Sequence, residues 1–180
     1  MQLILLAAGR GTRLPQKYRN LPKCMVKINN KTLLNHNAKF YNLFRSKIIV
    51  SGYKRKNLQE FINKNNFKEV INKAFKSTNM VHSLFTAKKF VNQDVFICYG
   101  DIIFDKKIYS ILKAKKNILP IYTKWKNLWL QRMSLRNVLK DAEDIEIKNQ
   151  ELISIGNKIY NNLPLYQYMG MLKLKKKRFF

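Results

Sequence analysis

Acidic residues are scarce in this sequence of 180 residues, which has 10 Asp and Glu against 36 Lys and Arg and a formal net charge of +26. Before Asp94 the only acids are Glu60 and Glu69, against nineteen basic residues. Such a charge favours an anionic partner, either a nucleic acid or a phosphorylated ligand. Lys greatly outnumbers Arg and accompanies abundant Asn, Ile, Phe and Tyr, a set that AT-rich codons favour, so part of the excess is expected to be compositional.

Other absences exclude whole classes of protein. Six Gly and four Pro are too few for a fibrous or low-complexity chain. The two cysteines, Cys24 and Cys98, fit no zinc or redox spacing and are expected to be reduced thiols. No apolar run approaches the roughly 20 residues that a membrane-spanning helix needs, and the apolar start at residues 1–8 lacks the basic region of a signal peptide. We therefore expect a cytoplasmic protein without a membrane span.

Short apolar runs alternate with segments of helical periodicity along most of the chain. This pattern predicts strands at residues 2–7, 46–50, 67–71, 95–99 and 118–122, with helices at residues 31–44, 54–64, 80–91 and 106–116. Residues 142–156 predict an antiparallel hairpin, and residues 166–174 predict a last strand. The alternation is typical of βαβ units with a mainly parallel sheet. We expect one α/β domain over residues 1–180.

The most informative segment is residues 5–14, Leu-Leu-Ala-Ala-Gly-Arg-Gly-Thr-Arg-Leu, which is followed by Pro22 and Lys23. A Gly-x-Gly turn after a strand can present backbone N–H groups to an anion, and Arg13 and Lys23 add positive charge. A dinucleotide fingerprint would need Gly in place of Leu14 and an acid about 20 residues further on, which is absent. The spacing of a Walker A loop does not fit either. A turn that is rich in Gly only for its geometry remains the alternative.

The complete string resembles the signature of the nucleotidyltransferases that activate sugar phosphates and phosphocholine. A second match lies at residues 79–84 with 99–104. A third match, between residues 125 and 170, is most similar to the branch of CTP:phosphocholine and phosphonate cytidylyltransferases. The resemblance implies a Rossmann-like, GT-A-type domain with a mainly parallel mixed sheet flanked by helices. It also implies transfer of a nucleoside monophosphate, CMP first, from an NTP to a small phosphorylated acceptor, with release of pyrophosphate.

The same resemblance implies roles for individual residues. The nucleotide-binding residues would be Leu6, Ala7, Ala8, Gly9, Gly11, Thr12, Asn79 and Ser83. The catalytic residues would be Lys23, Arg13 and Asp101. Asp101 closes a predicted strand at its carboxyl end, where α/β sheets bind ligands, and would hold Mg²⁺. Asn79 and Ser83 could equally cap a helix without touching a ligand, and Asp105 is better placed than Asp101 as a helix cap.

The third match also suggests a pocket for a cationic head group on the acceptor. The residues concerned are Tyr122, Trp125, Asp141 and Glu143. Aromatic faces attract quaternary ammonium groups, and carboxylates neutralise their charge. The alternative is that Trp125 and Trp129, at helical spacing, belong to the core, while the acids lie on a solvated face.

Several functions stay open at this point. The first is cytidylyl transfer to phosphocholine or an aminoalkyl phosphonate, and a sugar 1-phosphate with another nucleotide is the close alternative. A non-catalytic nucleotide-binding relative is the second, because the chain ends at Phe180, short of the second metal-binding Asp of the family. A nucleic-acid-binding domain ranks last, since no motif supports it. The basic run at residues 173–178 predicts a solvated tail, and the sequence predicts no oligomeric state.

Overall fold

The protein was studied as a computed structural model, which describes residues 1–131, 133–157, 159 and 163–178. Chain contacts divide it into two compact units. The first unit is Met1–Ile118 with Leu172–Phe180, and the second is Leu119–Met171. The single domain expected over residues 1–180 stays a prediction. Within the described ranges, no helix is both long enough and apolar enough to cross a membrane.

The first unit is built on a five-stranded sheet. Its strands are β1 (Gln2–Ala7), β4 (Ser46–Ser51), β5 (Lys68–Ile71), β6 (Val95–Tyr99) and β11 (Met171–Leu174). The order is β11-β6-β1-β4-β5, with β1 parallel to both β4 and β6, and β4 parallel to β5. Two short strands, β2 (Lys27–Ile28) and β3 (Lys31–Thr32), form a separate antiparallel pair. The mainly parallel sheet predicted from the sequence is confirmed.

The central strands are buried on both faces of this sheet. Leu3, Ile4 and Leu5 are fully buried, which explains why β1 is a continuous apolar run rather than an alternating one. One face packs Ile4 into an aliphatic cluster with residues of β4, β5 and β6. A cluster of aromatic side chains surrounds Phe40, whose ring is 5.3 Å from that of Phe96. The sheet therefore forms a well-packed base for the loops that follow its strands.

The helices of the first unit are shorter than the sequence predicts. They are α1 (Leu33–His36), α2 (Ala38–Tyr41), α3 (Gln59–Lys64), α4 (Met80–Thr86) and α5 (Ser110–Lys113), with 3₁₀ turns at Gln16–Tyr18, Lys23–Met25, Arg55–Leu58, Lys88–Phe90, Lys106–Tyr109 and Lys176–Arg178. The prediction of a single helix at residues 31–44 is wrong, because the helix is interrupted at Asn37. The side-chain Nδ2 of Asn37 donates to the carbonyl of Ile102 at 2.6 Å, a tertiary contact that the local periodicity does not encode.

The first part of the basic run near the carboxyl end is not the solvated tail that was predicted, whereas Lys176 and Lys177 are exposed. The first two residues of the run are the end of the edge strand β11, where Lys173 is 4% exposed and donates from Nζ to the carbonyl of Leu112 at 2.8 Å. Nζ also contacts the carbonyl of Ala114, so Lys173 caps the carbonyl groups at the carboxyl end of α5. Lys175 pairs with Asp94 at 3.1 Å. These partners fix Lys173 and Lys175 in the first unit.

The second unit is smaller and has its own core. Its elements are β7 (Ile121–Tyr122), α6 (Trp125–Leu130), α7 (Leu135–Asp141), β8 (Asp144–Lys148), β9 (Glu151–Asn157) and β10 (Gln167–Tyr168). The β8–β9 hairpin confirms the prediction near residues 142–156. The strand predicted at 118–122 is shorter, because Pro120 has no N–H to donate. The strand predicted at 166–174 is split into β10 and β11 at Gly170, where φ is 77°.

Candidate active site

The carboxyl ends of the parallel strands lie at one edge of the sheet. Residues 8–14 follow β1, residues 100–105 follow β6, and residues 52–54 follow β4. From β1 the chain moves outward to β4 and β5, whereas β6 lies on the other side of β1. The strand order therefore reverses between β1 and β6. Open α/β sheets bind their ligands outside the strand ends at such a reversal.

Gly11 makes the turn that brings the glycine loop back toward Lys23. Its φ is +62°, a left-handed conformation that side chains rarely adopt, and its carbonyl accepts the Leu14 N–H at 2.9 Å. A Cβ on Gly11 would lie 2.9 Å from Cδ1 of Leu14 and 3.1 Å from Cβ of Lys23. The turn therefore needs glycine, and the aliphatic stem of Lys23 packs directly against it.

Gly9 differs from Gly11 in having open space around it. A Cβ on Gly9 would meet no heavy atom within 4 Å, and its φ lies outside the left-handed region. Gly9 and Thr12 are exposed, while Ala7 and Ala8 are buried beneath them. The packing of this part of the chain thus gives no reason for a glycine at position 9. A ligand that approaches the backbone closely would supply one.

Lys23 and Asp101 meet beside this loop. Lys23 opens the 3₁₀ turn Lys23–Met25 directly after Pro22, and its Nζ is 2.6 Å from Oδ2 of Asp101. The side chains are 44% and 24% exposed, respectively. The N–H of Gly100 donates to the carbonyl of Leu6 at 2.9 Å, which ties the Asp101 loop to β1. The structure thus places two predicted catalytic residues together at the strand reversal, and Arg13 is exposed on the adjoining loop.

Two residues that the sequence reasoning missed support the loop after β1. The N–H of Tyr53 donates to the carbonyl of Ala8 at 3.2 Å, and its hydroxyl donates to the carbonyl of Arg19 at 2.5 Å. Gly52 lies so close that a Cβ there would be 3.0 Å from the carbonyl oxygen of Ala8 and 2.8 Å from Cβ of Phe75. The one signal in the sequence is a glycine two residues after a predicted strand.

Asn79 and Ser83 have internal partners at the start of α4. The side chain of Asn79 caps the helix by accepting the N–H of His82 at 3.1 Å. Ser83 is 6% exposed, and its hydroxyl accepts from Nδ2 of Asn72 at 2.9 Å and donates to the carbonyl of Asn79 at 3.2 Å. The capping alternative is therefore present in the fold, and the nucleotide-binding role stays a prediction. Asn72, 1% exposed, is a positioning residue that the sequence did not suggest.

The thiols near the site are protonated and chemically quiet. Burial, reinforced by the nearby Asp101 carboxylate, raises the pKa of Cys24 to about 12. Burial also raises the pKa of Cys98, with a smaller contribution from Asp101. Neither thiol is a nucleophile at neutral pH. The structure therefore gives no support to covalent catalysis by cysteine.

Asp101 is the residue of this site that suits a divalent cation. In the part of the chain that the structure describes, no group of three or more His, Cys, Asp or Glu side chains could hold a metal. The donor set is thus a single carboxylate, which fits Mg²⁺ when substrate phosphates provide further ligands. Asp105 has the capping role expected of it, since its side chain accepts the N–H of Lys107 at 2.8 Å.

The residues proposed for the acceptor lie in the second unit. Trp125 is 1% exposed and makes an edge contact with Trp129 at 5.2 Å between ring centroids. It belongs to a core cluster with neighbouring helix residues, as the alternative interpretation held. Tyr122 is 37% exposed, Asp141 is exposed and Glu143 is half-buried. Their assignment to an acceptor stays a prediction.

Comparisons with known proteins assign the chain to a family. Residues 3–126 match the family described as the MobA-like NTP transferase domain. The CTP:phosphoglutamine cytidylyltransferase of Campylobacter jejuni is 33% identical over 186 residues, covering 96% of this chain and 72% of the relative. The bifunctional protein GlmU of Methanococcus maripaludis is 34% identical over 113 residues, covering 62% of this chain and 27% of its own length. The chain thus spans only part of each relative.

Solved structures share the fold at lower identity. UDP-glucose pyrophosphorylase in complex with UDP-glucose has a TM-score of 0.73 at 20% identity, covering 99% of this chain and 77% of its own. The CTP:phosphocholine cytidylyltransferase of Streptococcus pneumoniae has a TM-score of 0.71 at 18% identity, covering 97% of this chain and 70% of its own. These likenesses confirm the Rossmann-like architecture.

Proposed function

We propose a cytidylyl-transfer reaction for this chain, which belongs to the MobA-like NTP transferase family and is thus a nucleotidyltransferase. The observation that carries the proposal is the meeting of Lys23 and Asp101 beside the glycine loop at the reversal of strand order. The cytidylyltransferase that is 33% identical over nearly the whole chain supports CTP as the nucleotide. The acceptor is proposed to be a small phosphorylated molecule.

In the proposed reaction an oxygen of the acceptor phosphate attacks the α-phosphorus of CTP. The bond between the α-phosphorus and its bridging oxygen breaks, pyrophosphate leaves, and a new diphosphate links CMP to the acceptor. An acceptor phosphate is largely dianionic at pH 7, because its second pKa is about 6, so the attack needs no general base. The protein has two tasks, to align the groups and to neutralise charge.

Lys23 and the glycine loop are proposed to perform these tasks. The open space above Gly9 suits close approach of the nucleotide to the backbone, and Gly11, Thr12 and Arg13 would face its phosphates. The ammonium of Lys23 would bring the α-phosphate and the acceptor phosphate together, because a point charge can serve two anionic oxygens at once. Asp101 would hold Mg²⁺, which when bound supplies further positive charge to the phosphates.

The name of one relative and the sequence of this chain indicate the class of acceptor. The relative at 33% identity acts on phosphoglutamine according to its name. The sequence of this chain suggested a cationic head group near Tyr122, Trp125, Asp141 and Glu143, of which Trp125 lies in the core. We propose an acceptor that carries both a phosphate or phosphonate and an amine or quaternary ammonium group. A sugar 1-phosphate is the competing acceptor.

Pyrophosphate release tests the proposal directly. Purified protein with Mg²⁺ is given each of the four nucleoside triphosphates in turn. Each is paired with phosphocholine, an aminoalkyl phosphonate, phosphoglutamine or glucose 1-phosphate. We expect release that requires both substrates and is fastest with CTP and one of the amine-bearing acceptors. Release only with glucose 1-phosphate would reassign the acceptor, and no release from any pair would refute the proposed reaction.

A matched pair of variants places the activity at this site. Lys23→Met keeps the stem that packs on Gly11 but removes the charge, so kcat should fall by at least about a hundredfold, the scale of losing one charge-stabilising group. Lys27→Met makes the same chemical change at an exposed position in β2 and should keep kcat within about twofold. Equal activity of both variants would show that Lys23 does not act on the phosphates.

A further inference from the structure

We propose that Lys23 and Asp101 act as a partner-exchange pair, so that the binding of the divalent cation and the binding of the nucleotide promote each other. The inference rests on the proposed function, because it assigns the cation to Asp101 and the phosphates to Lys23. It goes further in what it assigns to the ion pair itself. In the structure each charge serves as the counterion of the other, at 2.6 Å between Nζ and Oδ2.

Each ligand on its own binds less favourably to this ion pair than it would to an unpaired charge. A cation approaching Asp101 finds a carboxylate that the Lys23 ammonium already neutralises, and it is repelled by that ammonium. A phosphate approaching Lys23 finds an ammonium that is already paired, and it is repelled by the Asp101 carboxylate. When both ligands bind, the two unlike charges exchange partners and none is left unpaired. Each ligand therefore removes the obstacle to the other, which is positive coupling between two sites.

The surroundings allow the heads of these side chains to move while their backbones stay fixed. The Cβ of Lys23 is packed against the Gly11 turn, and the Asp101 loop is bonded to β1 through the N–H of Gly100 and the carbonyl of Leu6. The ion pair is therefore not needed to place either residue. The lysine side chain is 44% exposed and has a long flexible stem, so its ammonium can move from the carboxylate to a phosphate.

Other acids of the first unit have different tasks. Glu69 accepts hydrogen bonds from Ser51, Arg55 and Gln59, and Asp94 is paired with Lys175. Neither offers Lys23 another carboxylate in these contacts. The exchange is thus assigned to Asp101, and the removal of either charge should help the ligand of the other residue. If Lys23 and Asp101 were independent contact residues, removing either charge would not raise the affinity for the ligand of the other.

Metal binding without nucleotide is the first arm of the test. Mn²⁺ serves as the probe, read by paramagnetic broadening of the backbone amide resonances of residues 100–102. Lys23→Met should bind Mn²⁺ about tenfold more tightly than the unaltered protein, a factor toward the lower end of the range for coupled sites. Lys27→Met, with the same loss of charge, controls for the general field and should change the affinity by less than about twofold.

Nucleotide binding without metal is the second arm. CTP is titrated in the presence of EDTA and followed by calorimetry. Asp101→Asn should bind metal-free CTP about tenfold more tightly than the unaltered protein. Glu60→Gln removes one negative charge from an exposed position in the same unit and should have less than about a twofold effect. With Mg²⁺ present the order reverses, because the variant cannot hold the cation.

The outcomes separate this inference from the proposed function. If Lys23→Met or Asp101→Asn binds its probe no more tightly than its control, the exchange is refuted, while pyrophosphate release by the unaltered protein still supports the reaction. If the unaltered protein neither binds CTP with Mn²⁺ nor releases pyrophosphate, both proposals are overturned. Thermal unfolding checks that each variant folds, and Lys23→Gln replaces Lys23→Met if that variant does not.

Discussion

The two glycines of the loop after β1 should respond in opposite ways to the addition of one methyl group. At Gly9 a Cβ meets no heavy atom within 4 Å and the φ lies outside the left-handed region. Gly9→Ala should therefore leave the free energy of unfolding unchanged or raise it by up to about 1 kcal/mol, through lower entropy of the unfolded chain. The new methyl group would nevertheless occupy space that the proposed nucleotide needs. CTP affinity should fall by at least about tenfold, or about 1.4 kcal/mol.

Gly11→Ala should instead lower the stability of the protein. A left-handed φ of +62° costs a residue with a Cβ about 1–2 kcal/mol. The Cβ would also lie 2.9 Å from Cδ1 of Leu14, which must shift. The melting temperature should therefore fall by roughly 2–8 °C, at about 2–4 °C per kcal/mol for a chain of this size. Activity should fall as well, because the stem of Lys23 packs against the same point.

Thermal unfolding and CTP titration on the two variants separate these effects. We expect Gly9→Ala to melt no lower than the unaltered protein while binding CTP poorly, and Gly11→Ala to melt lower. Unchanged CTP affinity in Gly9→Ala would refute the placement of the nucleotide over this part of the loop. A stable Gly11→Ala variant would show that the turn can relax, and the argument from its left-handed backbone would then fail.

Three further predictions concern the framework of the site. Burial raises the pKa of the Cys24 thiol to about 12, so this thiol ionises at lower pH in the unfolded chain than in the folded protein. The free energy of unfolding should therefore decline as the pH rises from about 9 toward 12. In urea titrations over the accessible alkaline range, the free energy of unfolding of Cys24→Ala should decline less steeply. Glu69→Gln weakens its bond with Arg55, 3.0 Å long, and should lose about 1–2 kcal/mol in urea unfolding, whereas the exposed Glu60→Gln should stay within about 0.5 kcal/mol. Gly52→Ala places a Cβ 2.8 Å from a neighbouring side-chain carbon and should lose about 1–3 kcal/mol in the same measurement.

The strands were predictable to the residue where burial alone decides them. The structure gives β1 and β6 the bounds expected from the sequence, residues 2–7 and 95–99, because a parallel strand covered on both faces is a continuous apolar run. The helices were not predictable in this way. At the interruption, the side chain of Asn37 donates a hydrogen bond to the carbonyl of Ile102, which lies 65 residues further along the chain. Periodicity within a window of about 11–18 residues cannot register such a contact.

The site shows a similar division. Lys23 and Asp101 were found because they belong to sequence strings of fixed form, and the fold brings those strings together. Tyr53 and Asn72 were missed because they act on backbone atoms and loop side chains, through contacts that no sequence string of fixed form marks. The N–H of Tyr53 that supports Ala8 is present in every residue except proline. Its importance comes from its position beside β1, which exists only in the folded chain.

In the first unit, the acids that stabilise the fold are different residues from the acid that is proposed to act in the reaction. Glu69, Asp94 and Asp105 each hold parts of the fold together, through side-chain bonds, an ion pair at β11 and a helix cap. Asp101 pairs with Lys23 across two loops whose positions are already fixed by packing and backbone bonding. A pair this exposed contributes only about 0–1 kcal/mol. Asp101→Asn should therefore leave the melting temperature within about 4 °C of the original while removing Mg²⁺-dependent turnover, and a large loss of stability would show instead that the pair holds the fold.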